Sequence, residues 1–188
     1  MPGHSTPSQT VGPFFSISLD RLNRANLADG SVGERVAIQG RVIDGDGQPV
    51  PDAVLEIWQA DADGLYHHPE HEGPRNNANS FFGFGRIPTD EHGRFSFTTI
   101  KPGPVHDPDG KPQAPHLQIL VFMRGLLKQL VTRIYFPEEP LNASDPVLQA
   151  VPESRRETLI ARQSAAKKNT LEWNVCLQGE NETVFFDC

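Results

Sequence analysis

His116 and Gln118 open the apolar run His116-Leu-Gln-Ile-Leu-Val-Phe122. On a strand, residues two apart point to the same face. The pair therefore has the layout of two metal ligands side by side, but the second is an amide. A neutral amide is a poor ligand for a transition metal beside imidazole, thiolate or phenolate. The run is preceded by Lys101-Pro-Gly-Pro-Val-His-Asp107, and the whole stretch has the look of a metal site with ligands missing. Such a chain either carries out chemistry with what is left or supports chemistry run by another chain.

The elements that must position these residues are short strands. The 188 residues include 17 prolines and 16 glycines, which makes turns abundant and favours many strands over long helices. Glu34–Ile43 alternates Val36, Ile38 and Val42 with polar residues, and Gly40 interrupts it as a bulge or a close backbone approach. Strands are also expected over 53–59, 93–100, 116–122, 127–136, 171–177 and 183–186. In the 127–136 strand Leu130, Thr132 and Ile134 share one face. Residues 152–167 carry the one clear helical pattern. Residues 67–85 form a long loop rich in His, Asn and Gly. Residues 1–33 read as an irregular N-terminal arm whose Val11, Phe14 and Phe15 need a surface to cover, on this domain or on a partner. The expected fold is all-β: a sandwich of mostly antiparallel strands with one short helix near 152–167, built as a single domain over 1–188.

The net charge is −7 and no basic stripe is evident, which argues against nucleic acid as a partner. No apolar run approaches the ~20 residues that span a bilayer. The start Met-Pro-Gly-His-Ser-Thr-Pro lacks the charged and apolar regions of a secretion signal. Cys176 and Cys188 therefore read as reduced thiols in a cytoplasmic protein.

A more specific pattern lies in Ile38-Gln-Gly40-Arg-Val42, Gly47, Val50, Leu55-Glu-Ile-Trp-Gln-Ala60 and Gly64-Leu-Tyr66. With Thr98-Thr-Ile-Lys-Pro-Gly-Pro104, Tyr135-Phe-Pro-Glu-Glu-Pro-Leu-Asn142 and Asp145-Pro-Val-Leu148, it resembles, in order, the motifs of the intradiol ring-cleavage dioxygenases. Members open catechol rings between the hydroxyls with non-haem ferric iron held by two tyrosinates and two histidines. Mapped residue by residue, the resemblance implies that Tyr66 keeps the first tyrosine position and His116 the first histidine. The second tyrosine position is Val105 and the second histidine position is Gln118. The arginine that the family places three residues before the first histidine is Gln113.

Thr6-Pro-Ser-Gln-Thr-Val-Gly-Pro13, Ala114-Pro-His116, Arg124-Gly125 and Gly179-Glu-Asn-Glu-Thr-Val-Phe-Phe186 resemble the iron-free chain of the family's two-chain members. This implies a chain that binds no metal itself. Fe(III) would sit on a homologous partner chain in a large hetero-oligomer that cleaves 3,4-dihydroxybenzoate. Thr10, Gly12, Pro13 and Arg124 would line the substrate pocket shared with that chain, where a positive charge suits an aromatic carboxylate. Two other readings remain open. One is a self-sufficient dioxygenase whose site is rebuilt from Tyr66, His116 and one of His67, His68, His106 or Tyr135. The other is an interaction module that binds no aromatic acid.

Overall fold

In the computed structural model, residues 6–67 and 81–187 are described. In chain order the elements are α1 (Phe14–Ile17), β1 (Arg35–Ile43), β2 (Val54–Trp58), β3 (Phe84–Pro88), β4 (Arg94–Ile100), β5 (Val105–His106) and β6 (Pro112–Gln113). They continue with β7 (His116–Phe122), β8 (Leu130–Tyr135), α2 (Pro146–Ala150), α3 (Glu153–Arg156), β9 (Arg162–Gln163), β10 (Thr170–Glu172) and β11 (Val175–Cys176).

Two sheets face each other, as the alternating strands require. In the first, β4 pairs antiparallel along one edge of β1, from Arg35↔Ile100 to Arg41↔Arg94. Along the other edge β10 and β11 run parallel to β1, an exception to the otherwise antiparallel pattern, and β9 continues the sheet beyond β10. The second sheet has the order β3-β2-β7-β8 and is antiparallel throughout. Val36, Ile38, Val42, Phe95 and Phe97 turn inward against Leu55, Ile57, Leu117, Ile119, Val121 and Ile134. The opposite face of the second sheet is thereby left to carry other side chains. Thr132 and Ile134 pair with Ile119 and Leu117, which puts them on the core face and turns Val131, Arg133 and Tyr135 outward.

Gly40 is a close approach. A Cβ there would lie 1.6 Å from the Trp173 carbonyl oxygen, between β10 and β11. The Gln39 carbonyl accepts from Trp173 N at 3.0 Å, and Arg41 N donates to Asn174 Oδ1 at 2.9 Å.

Several elements differ from expectation. The helical pattern over 152–167 yields only α3 and a 3-10 turn, Glu157–Leu159. Buried Leu159, the Tyr135↔Ile160 bridge and the Ala161 N–H on the Tyr135 carbonyl (3.0 Å) then draw the chain into extended form. Helices this short have little stability of their own, so tertiary pairing decides. Residues 183–186 make one bridge, Val131↔Phe186, because Thr183 is tied sideways: its N–H donates to the Cys176 carbonyl and its hydroxyl accepts from Cys176 N. α1, α2 and β3 were not expected; β3 begins inside the predicted loop, most of which, with His68, lies outside the described residues.

Candidate functional site

The positions that the resemblance singled out gather at the outer face of the second sheet. Register places Trp58 of β2, Gln118 of β7 and Arg133 of β8 in one row, with His116 opposite Tyr135 one step along. The β5–β6 hairpin adds Val105 directly opposite Gln113. Tyr66, in the turn after β2, stacks on Trp58 with ring centroids 6.1 Å apart and planes within 8°.

Arg133 is the residue that the sequence reading missed, and it connects these positions. Its Nη1 donates to Gln113 Oε1 at 2.7 Å and to the Tyr135 hydroxyl at 3.3 Å, and its Nε donates to Gln118 Oε1 at 3.3 Å. The Tyr135 hydroxyl in turn donates to Asp145 Oδ1 at 3.0 Å. Asp145 is fully buried; it caps α2 by accepting from Leu148 N and also accepts from Ala114 N, both at 2.7 Å. The available sequence signal was a charge lodged between Val131 and Tyr135 on an apolar strand.

Burial favours the neutral forms of His116, Tyr66 and Tyr135. Burial, helped by repulsion from Arg133, pushes the His116 imidazole down to about 4. His116 Nδ1 donates to the Ala114 carbonyl at 2.7 Å. Burial raises the Tyr66 and Tyr135 phenols, with Arg133 opposing in both. Of the four further residues weighed as substitute ligands, the three that are described are engaged or turned away. His67 Nε2 is held by Asp61 Oδ2 at 2.8 Å, His106 is exposed, and Tyr135 lies between Arg133 and Asp145.

A second cluster forms where the arm meets the β7–β8 turn. Gly125 N donates to Thr10 Oγ1 at 2.8 Å, and the Thr10 hydroxyl donates to the Met123 carbonyl at 3.5 Å. This places Thr10 at the Met123–Gly125 turn that carries Arg124. Arg124 Nε donates to Asp52, while its side chain stays 63% exposed. The arm is fastened further along by Arg86. This buried guanidinium lies over the Phe15 ring at 4.9 Å, donates to the Phe15 carbonyl and to Asn23 Oδ1, and lies 3.6 Å from Glu56. Phe15 also packs on Phe122, with ring centroids 4.9 Å apart.

A facing-sheet fold with this set of outer-face positions has a match among known proteins. A family profile described as Dioxygenase fits residues 12–179, and the chain belongs to this intradiol dioxygenase family. It is 40% identical to the protocatechuate 3,4-dioxygenase alpha chain of Pseudomonas putida, across 97% of this chain and 96% of that one. It is 37% identical to the protocatechuate 3,4-dioxygenase beta chain of Burkholderia cepacia, across 81% of this chain and 68% of that one. Among solved structures, the dioxygenase domain of a carbohydrate-binding fusion protein from Streptomyces sp. SirexAA-E superposes with a TM-score of 0.63 at 25% identity, covering 96% of this chain and all of that domain.

Intradiol dioxygenases are non-haem iron enzymes. The residues here do not fit that metal. The Arg133 guanidinium lies close enough to Tyr66 and His116 to act on their charge, and amides and an alkyl group stand at the other positions that the resemblance singled out. Among the described residues, no group of three or more His, Cys, Asp or Glu could hold a metal ion. Among them, too, no helix is long and apolar enough to cross a membrane.

Proposed function

We propose that this chain is the iron-free, alpha-type subunit of a protocatechuate 3,4-dioxygenase. It folds as one domain over 1–188, works in the cytoplasm and assembles with a homologous beta-type chain in a hetero-oligomer. That partner carries Fe(III) and the ring-opening chemistry, in which 3,4-dihydroxybenzoate and dioxygen give 3-carboxy-cis,cis-muconate. The observation that carries the reading is the Gln113–Arg133–Gln118 network, a guanidinium bonded to amides where an iron enzyme of this family needs ligands. The near full-length likeness to an alpha chain supports it. No observation favours a self-sufficient site.

The chain's own part is to hold and orient the substrate acid at the pocket shared with its partner. A guanidinium has five donors, and Arg124 commits its Nε to Asp52, leaving its Nη groups for a carboxylate. An exposed pair of this kind is worth little in itself, so a substrate carboxylate can join it without a large penalty. Thr10 fixes the arm to the same turn. Gly12 has nothing within 4 Å of a Cβ position, so its own chain does not require it to be bare. A partner or ligand brought close to its backbone would.

Arg124→Ala in the reconstituted complex tests the shared pocket. The expected result is a KM for 3,4-dihydroxybenzoate raised on the order of tenfold, the scale of one charge-assisted hydrogen bond. The partner's iron content should not change. Unaltered kinetics would remove Arg124 from the pocket.

A further inference from the structure

We propose that Arg133 is a resident cation that occupies the place of the metal and keeps metal out. The inference rests on reading the chain as the iron-free subunit and says how that state is maintained.

Loss of ligands alone would leave a polar hollow lined by Tyr66, His116 and two amides. The structure instead has a guanidinium at the centre of these positions. Each amide that replaces a family side chain turns its carbonyl oxygen to this one cation: Gln113 at 2.7 Å from Nη1 and Gln118 at 3.3 Å from Nε. An amide is a weak metal ligand but a good acceptor for a guanidinium. The two glutamines are thus complementary to Arg133 as well as unsuited to iron. Val105, opposite Gln113, leaves the hairpin side apolar where a tyrosinate would otherwise add negative charge.

The cation is also held firmly. The Tyr135 hydroxyl bridges it to buried Asp145, and Asp145 is fixed in turn by the N–H groups of Ala114 and Leu148. This gives Arg133 a partial counter-charge one hydroxyl away, without placing a carboxylate where it could ligate metal. A trivalent ion entering beside Tyr66 and His116 would stand close to a fixed positive charge in a poorly solvated place, where like charges repel strongly. A guanidinium stays charged at any working pH, so the exclusion does not lapse.

The test restores the ligands with and without the cation. In the full-length chain, Val105→Tyr/Gln118→His provides two tyrosines and two histidines while keeping Arg133. The same pair is then made with Arg133→Met, with Arg133→Gln should the methionine variant fail to fold, and with Arg133→Lys. Iron per chain and the visible tyrosinate-to-iron absorption are read after loading with ferric iron, with near-ultraviolet circular dichroism to confirm folding. The double variant should take up no more iron than wild type. Removing the charge should raise uptake on the order of tenfold or more and bring up the absorption band. Arg133→Lys, which keeps a charge but loses the fork, should leave the site empty of iron. Iron in the double variant with Arg133 present, or no gain in a folded charge-free triple variant, would overturn the role of Arg133. Iron in the wild-type chain would instead overturn the iron-free reading itself.

Discussion

His116 keeps the imidazole that a ligand needs but sits where gaining a proton is disfavoured. Its burial and the nearby guanidinium bring its pKa to about 4, whereas an unfolded histidine titrates near 6.5. Between these values the unfolded chain binds a proton that the folded chain refuses. Stability tied to His116 is therefore complete above about 6.5 and falls as pH drops towards 4, by about 3 kcal/mol across the window. Urea unfolding at pH 7 and pH 4.5 should show this loss, and His116→Gln should remove most of it. An equal acid loss in the variant would mean that other groups carry it. At this scale, Val105, Gln113 and Gln118 were legible as departures from a ligand set, because a residue type can be compared with a motif position by position. Arg133 was not legible. It faces Gln118 only once β8 is laid beside β7 in the right register, and a single sequence does not state that register.

The elements place these residues through the period of the strands. His116, Gln118 and the outward row of β8 lie on one face because Leu117, Ile119 and Ile134 must lie on the other. The long alternating strands, β1, β4 and β7, were readable for that reason, as was Gly40. What Gly40 makes room for was not, since the Trp173 carbonyl comes from far along the chain. Gly40→Ala sets a Cβ against backbone that cannot move cheaply. Its cost should be about 3 kcal/mol, read as a fall of about 6–12 °C in Tm for a chain of this size. An unchanged Tm would show that β1 and the 173–174 segment can separate. The helical pattern over 152–167 is realised only in its first part, as α3 and a 3-10 turn, because buried Leu159 and Ala161 are pinned by the strand side of the molecule. The anchor of residues Phe15–Asn23, buried Arg86, was not legible, because it lies on β3, a strand that was not expected.

For the whole molecule, the proposed function gives two clusters separate parts. One, around Arg133, would hold a positive charge at the positions that the resemblance assigns to iron ligands. The other, around Thr10 and the exposed Arg124, would complete the pocket shared with the partner chain. Phe14 and Ile17 in the arm and Leu127 in the neighbouring turn are 72%, 59% and 63% exposed, the kind of apolar surface that a partner chain would cover. The two-sheet sandwich was legible from many short alternating strands; the assembly rests on the likeness to alpha and beta chains. The central claim is that this chain contributes to a dioxygenase without holding its metal. Metal analysis of the full-length chain purified apart from its partner, after exposure to ferric iron, tests it most directly. The account predicts a colourless protein with iron far below one atom per chain. Near-stoichiometric iron with a tyrosinate-to-iron absorption band would contradict it.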